Sequence, residues 1–347
     1  MSLLDALAVG EEHGFDEVNR AILRAGLGDG LPVVPPTPAR VEAMLAGRNP
    51  AAVLAVLPPA RGEATWRQLA LCAVLAGCEP PALPVLAAAV RAVADPAFNL
   101  LGVATTTGNA AVGLIVHGPA ARAAAVHGGS NALGPGAAGN ATLGRALSLV
   151  LRNVAGAVPG KTDMATQGQP AKYTFCFAEN EAAGPWGALH ASRGLSASQG
   201  AVTVFAASGL LEIVDAASSD GEGVLATCAQ SMLAAGSLGG TGLLGGGQPI
   251  LLLAPEHAEL IARTHTRTEA QAALHAAARL PIERLAPEVR AHLLAGRPAG
   301  AALTELTVAE RPEAILLAVV GGVGRKSTYV PSWGGGSLAI TRPVELA

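Results

Sequence analysis

LIVHGPAARAA, residues 114–124, is an unbroken apolar run that meets Gly118 and Pro119 and then turns to alanine and arginine. Continuous Leu/Ile/Val is the signature of a strand buried on both faces, and a proline directly after it suits the first turn of a helix. LLLAPEHAELIA, residues 251–262, repeats the order of strand, proline and helix. Strand-to-helix units of this kind predict an α/β fold, a mixed sheet with helices on both faces. A second echo sets Gly62-Glu63…Leu75-Ala76-Gly77 against Gly221-Glu222…Ala234-Ala235-Gly236. Its offset differs from that of the strand–helix pair. Either the chain holds two pseudo-equivalent αβ halves, or an alanine-rich sequence produces echoes by chance. The first option divides the chain into an N-terminal helical and extended segment (1–60), an αβ half (61–200) and a second αβ half (201–347).

Outward from these units the same rules place the other elements. Phe15, Val18, Ile22 and Leu23 recur at helical spacing in 13–27, and Gly28-Asp29-Gly30 stops that helix. The prolines of LPVVPPTP (31–38) hold it extended, and Thr37 is placed to cap a helix over 38–46. Further helices are expected over 63–77, 85–93, 141–154 (with Asn140 as cap), 222–235 and, with breaks, 257–294. Strands are expected over 101–107, 111–116, 173–178, 201–206, 210–214, 249–253 and 314–320.

Half of the 347 residues are hydrophobic and only 14% are charged, against roughly 25% in ordinary soluble chains. The surface must be small or partly buried, which predicts a homo-oligomer with an apolar interface. A net charge of -3 and 3% aromatic residues exclude the basic stripe and stacking platforms of a nucleic-acid binder. The N-terminus turns acidic without a basic segment, and the uncharged run 223–255 is too rich in glycine for a membrane span. A cytoplasmic protein is expected. Cys72, Cys78, Cys176 and Cys228 have no metal or redox spacing.

The chemistry concentrates in GAVPGKTDMATQGQPAKYTFCFAENEAAGPW, residues 156–186. Lys161, Asp163, Lys172, Tyr173, Cys176 and Glu179 are the catalytic candidates, with Gln169 and Asn180 as binding groups. Strand alternation over 173–178 sets Tyr173, Phe175 and Phe177 on one face and Cys176 on the other. Cys176 is a nucleophile if Lys172 or a histidine lowers its pKa, and otherwise a core thiol. Glu179 and Glu181 leave the strand together, as paired carboxylates for acid–base work would, or as ordinary surface charge. The loop of residues 128–139 runs into a helix, so Ser130, Asn131, Gly134, Gly136, Asn140 and Arg145 could hold a phosphate or carboxylate. A helix rather than a strand precedes the loop, which argues against a dinucleotide. Arg325, Lys326 and Ser327 follow a strand and are candidates for a substrate carboxylate. His117 and His127, with Asp163 or Glu179, are the candidates for a metal, although neither HxH nor HExxH occurs. The remaining histidines, His190 and His257 among them, read as surface. No cofactor is called for.

DGLPVVPPTPARVEAML (29–45), LAGCEPPALPV (75–85), NALGPGAAGNATLGRAL (131–147), GQPAKYTFCFAENEAAGPW (168–186) and PEHAELIA (255–262) resemble a bacterial family associated with the UGSC (seleno)proteins. The resemblance runs over most of the chain and implies no settled reaction. That name refers to a Sec/Cys-Gly-Ser-Cys motif, and C-G-S-C does not occur here. The expected function is an enzyme acting on a small anionic metabolite by acid–base or nucleophilic chemistry: hydrolysis, elimination or addition. The alternatives are a thiol-transfer subunit, with Cys176 meeting a separate thiol or selenol protein, and a non-catalytic binding or assembly subunit.

Overall fold

Strands with no polar face cannot border water on either side, and the fold meets that demand by stacking two sheets and covering each outer face with helices. The computed structural model describes residues 13–235, 239–295 and 303–345. Helix α1 (Phe15–Arg24) buries Val18, Asn19 and Ile22. The Asn19 amide receives Val33 N–H at 2.6 Å and donates to Val33 O at 3.2 Å, tying the extended proline segment to the helix. Helix α2 (Pro38–Leu45) follows Thr37, whose side chain makes no capping bond. Strands β1 (Val53–Leu57) and β2 (Gly62–Thr65) form an antiparallel hairpin. The helix expected from residue 63 therefore starts later, as α3 (Trp66–Ala76), where Thr65 and Gln68 form a capping box. After α4 (Ala82–Val93), the strand expected over 101–107 is instead helix α5 (Leu100–Thr105). Asn99 starts it by accepting Gly102 N–H at 3.2 Å, and a short apolar run does not by itself choose between helix and strand.

Strand β3 (Ala111–His117) and α6 (Gly118–Ala123) form the first strand-to-helix unit. They are followed by α7 (Ala138–Asn153), β4 (Cys176–Ala178), α8 (Leu189–Ser192) and β5 (Ala201–Ala207). Helix α7 starts before Asn140, which is thus not its cap. The expected strand 173–178 is shorter because Pro170–Lys172 forms a 3-10 turn. Then come β6 (Leu211–Val214), α9 (Gly221–Met232), β7 (Ile250–Leu253), α10 (Pro255–Ala262) and α11 (Arg267–Ala277). The small antiparallel pair of β8 (Arg279–Pro281) and β9 (Glu305–Thr307) brackets α12 (Pro287–Ala295). Strands β10 (Leu316–Val319), β11 (Lys326–Val330) and β12 (Ile340–Pro343) end the chain.

The first large sheet has the order β12-β5-β3-β4, with β3 and β4 parallel and the other neighbours antiparallel. The second has the order β6-β11-β7-β10, with β7 and β10 parallel and the other neighbours antiparallel. The α/β class holds, with two mixed sheets in place of one. Strand β5 and the C-terminal β12 both belong to the first sheet, although both lie within residues 201–347.

Alternation along the strands of the two large sheets assigns three cores. Leu114, Val116, Val202, Val204 and Cys176 face a layer of α3, α4 and α7. Leu251, Leu253, Leu317 and Val319 face α9, α10 and α11. Ile115, Phe177, Phe205, Leu252 and Ala318 fill the space between the sheets. The order is helices, sheet, sheet, helices. Between the sheets, Gly113 lies opposite Phe205 in the β3–β5 register. A Cβ there would sit 2.1 Å from the ring, so the position must be glycine.

A carboxylate anchors the helical side of the second sheet. Asp215, 6% exposed, accepts hydrogen bonds from Ala217 N–H, Ser218 N–H and the Ser218 and Thr227 hydroxyls. Burial alone pushes its pKa up, but these four donors outweigh it and hold the carboxyl down at about 2. The depressed folded value means the contribution is complete above the unfolded pKa near 4 and disappears as pH falls through about 2. Removing the carboxylate by Asp215→Asn should therefore cost roughly 2 kcal/mol at pH 7, and the gap to wild type should close between about pH 4 and pH 2. Urea titrations at pH 7 and pH 3 test this; an equal deficit at both refutes it.

Candidate functional site

A cavity of about 590 Å³ opens where the first sheet meets the coil before β4. Its apolar wall is small-residue and aliphatic: Val103 and Ala104 of α5, Ala111 and Val112 at the start of β3, and Leu149 of α7. The opposite wall is the coil 157–173, which contributes Asp163, Gln167, Gln169, Lys172 and Tyr173. Lys172 Nζ donates to both Asp163 oxygens at 2.7–2.8 Å. The two side chains remain 24% and 14% exposed, so the pair is sheltered but within reach of a ligand. Gln169 is fixed by donating from Nε2 to Asn109 O and, at 3.0 Å, to Ala207 O. Tyr173 is half-exposed. Three of the six catalytic candidates thus lie around one space, with Gln169 beside them.

Glu179 and Glu181 belong to a different place. Ile115 and Phe177 point between the sheets, so two residues on, at the carboxyl ends of the parallel β3 and β4, His117 and Glu179 continue that face. His117 Nδ1 lies 3.1 Å from Glu179 Oε2, and its Nε2 lies 2.9 Å from the Thr203 hydroxyl. The Glu179 carboxylate accepts Leu189 N–H, and Glu181 accepts Gly118 N–H at 2.7 Å. His190 of α8 completes the group, its ring centroid 4.9 Å from that of His117 and its Nδ1 3.8 Å from Glu181 Oε1. One donor atom from each of His117, Glu179, Glu181 and His190 lies within 4.8 Å of all the others, a set that could hold a metal ion. Both ring nitrogens of His190 are buried without a hydrogen-bond partner, an omission that costs about 1–3 kcal/mol. Burial, and next the neighbouring His117, lower the His190 pKa against the pull of Glu181, Glu179 and the nearby Ser196 backbone. Six residue steps of β3 separate this centre from the cavity, about 20 Å.

The other candidates are placed elsewhere. Cys176 points into the helix-side core, where burial raises its thiol pKa and disfavours the thiolate. Cys72, Cys78 and Cys228 are also buried, their thiols pushed up to about 12. Lys161 is exposed. In the glycine loop, Asn140 bonds both backbone groups of His127 and Ala132 O, while Asn131 Nδ2 donates to Pro135 O. Gly134 packs on the Asn131 side chain, and Gly136 takes a φ of 128°. Ser130 packs on Gly322, and Asn180 donates to Gly321 O. Arg145 makes a two-pronged pair with Asp29 at 2.7 and 2.8 Å and is spent there. Arg325 holds Ala216 O and Ser218 O, and Lys326 is exposed at the start of β11. Ser327, inside β11, is buried against His257 Nδ1 and Ala254 N–H.

Two corrections concern histidines. His127 does not join His117; its Nε2 bonds Ser130 O in its own loop. His190 and His257 are fully buried rather than on the surface. For His117 the signal was present in the sequence, two positions past Ile115 on a buried face. For His190, on a four-residue helix, no periodicity exists to read. Among the described residues no helix is long and apolar enough to cross a membrane. Compared with family models, curated proteins and solved structures, the chain matches none.

Proposed function

We propose that the chain is an enzyme acting on a small anionic organic metabolite held in the cavity beside β3, with Asp163 as its general base and Lys172 as the cation that receives the substrate's carboxylate. The observation that carries this is the pair itself, part-sheltered on the wall of a space of about 590 Å³, within the roughly 300–1,000 Å³ usual for small-molecule sites. The substrate's carboxylate draws the Lys172 ammonium away from Asp163. Asp163, relieved of its partner, is then free to take a proton from the carbon next to that carboxylate. Lys172 meanwhile neutralises charge building on the carboxylate oxygens, and Tyr173, which also lines the cavity, is the acid that protonates the leaving group. The alanine and valine wall receives a short aliphatic body. Elimination, and addition in reverse, follow from these roles and require no nucleotide.

Short-chain mono- and dicarboxylates, hydroxy acids and amino acids incubated with the protein in deuterium oxide test the reading by proton NMR. A substrate should exchange its α-proton with wild type and not with Asp163→Asn. If no compound exchanges, turns over or raises the melting temperature, the reading is wrong.

A further inference from the structure

We infer that His117, Glu179, Glu181 and His190 form a divalent transition-metal site that clasps one end of the inter-sheet core. Nothing in this inference depends on the cavity. Two imidazoles and two carboxylates suit zinc and its first-row neighbours, which take nitrogen and oxygen donors together. Buried unpartnered nitrogen is the independent sign. His117, Glu179 and Glu181 each have a hydrogen-bond partner and Glu181 reaches the rim, yet the wholly buried His190 has none at bonding distance on either nitrogen. A cation among the four converts that omission into a bond.

The surroundings are built for orientation. His117 keeps its Nε2 on the Thr203 hydroxyl, which turns Nδ1 toward Glu179. Thr203 in turn bonds the Thr341 hydroxyl at 2.9 Å. Leu189 N–H and Gly118 N–H fix one carboxylate each. Outer partners of this kind set the tautomer and aim of metal ligands. Bonds of about 2.0–2.2 Å place neighbouring donors in a tetrahedron roughly 3.3–3.6 Å apart. The widest donor separation is 4.8 Å, so binding draws the set inward. Four protein ligands fill a tetrahedron, the pattern of a structural ion. It would link the ends of β3 and β4 to α8, which packs against β5 and β10 of the two sheets.

The test uses the full-length, tag-free chain. Elemental analysis after purification from zinc-supplemented medium should give one ion per chain. After chelator stripping, the melting temperature should fall and one equivalent of zinc should restore it. Cobalt(II) added to the stripped chain should produce the intense visible absorption of a tetrahedral site, displaced by zinc. His190→Ala should weaken zinc affinity at least ~10- to 100-fold, while His275→Ala, whose ring bonds Ala309 O, should leave it unchanged. Should His190→Ala fail to fold, the stoichiometry and cobalt spectrum of wild type still decide. Wild type without stoichiometric metal and without a cobalt spectrum overturns the inference, as does a folded His190→Ala variant of undiminished affinity.

Discussion

Lys172→Met is expected to lower kcat by about 10²- to 10³-fold on the substrate identified by proton exchange, the range for loss of one positioned group that stabilises developing charge. Stability should hardly change. The Lys172–Asp163 pair is partly solvated, and exposed or half-exposed ion pairs contribute only about 0–1 kcal/mol. Methionine keeps the aliphatic stem and removes the charge. Asp163→Asn should lose a similar factor, and the double variant should lose little more than either single, because the two residues act as one unit. Steady-state kinetics on all three proteins decide. Full activity in Lys172→Met would move the chemistry away from the cavity. A large loss of activity accompanied by a large loss of stability would make the pair a structural strut.

Phe177→Ala should produce the largest stability loss of a single aromatic truncation in the inter-sheet core. Phe177 is fully buried, with Phe175 at 5.7 Å and Phe205 at 6.3 Å between ring centroids. Removing it leaves a void between two sheets whose backbones are fixed by their ladders, so the gap cannot close easily. Truncations of this type cost about 3–5 kcal/mol, a large part of the roughly 5–15 kcal/mol that holds a domain folded. Urea denaturation should show a lower midpoint with an unchanged slope. A loss below about 1 kcal/mol would show that the sheets collapse onto the vacancy.

Much of this architecture was legible in local sequence. Strands β3, β5, β7 and β10 are continuous apolar runs, and that pattern alone demands cover on both faces. Helices α1, α2, α4 and α9 followed from periodicity and proline placement. The crowding of ionisable residues into 156–186 marked the region of interest. Where apolar runs were short, as in α5, or polar, as in β2 and β11, the sequence carried no decisive period. Capping by Asn99 and cross-strand pairing settled those segments.

What the sequence by itself determined was an α/β chain with doubly buried strands and a crowding of polar and ionisable residues between 156 and 186. Only the tertiary structure decided that there are two sheets rather than one, because face-to-face packing depends on partners far apart in the chain, such as β12 with β5. It also divided the polar stretch. Asp163, Lys172 and Tyr173 precede β4 and surround a cavity, whereas Glu179 and Glu181 follow it and meet His117 and His190 at the far end of the sheet. A strand carries its two ends in opposite directions, so residues close in sequence on either side of it come to lie in different places.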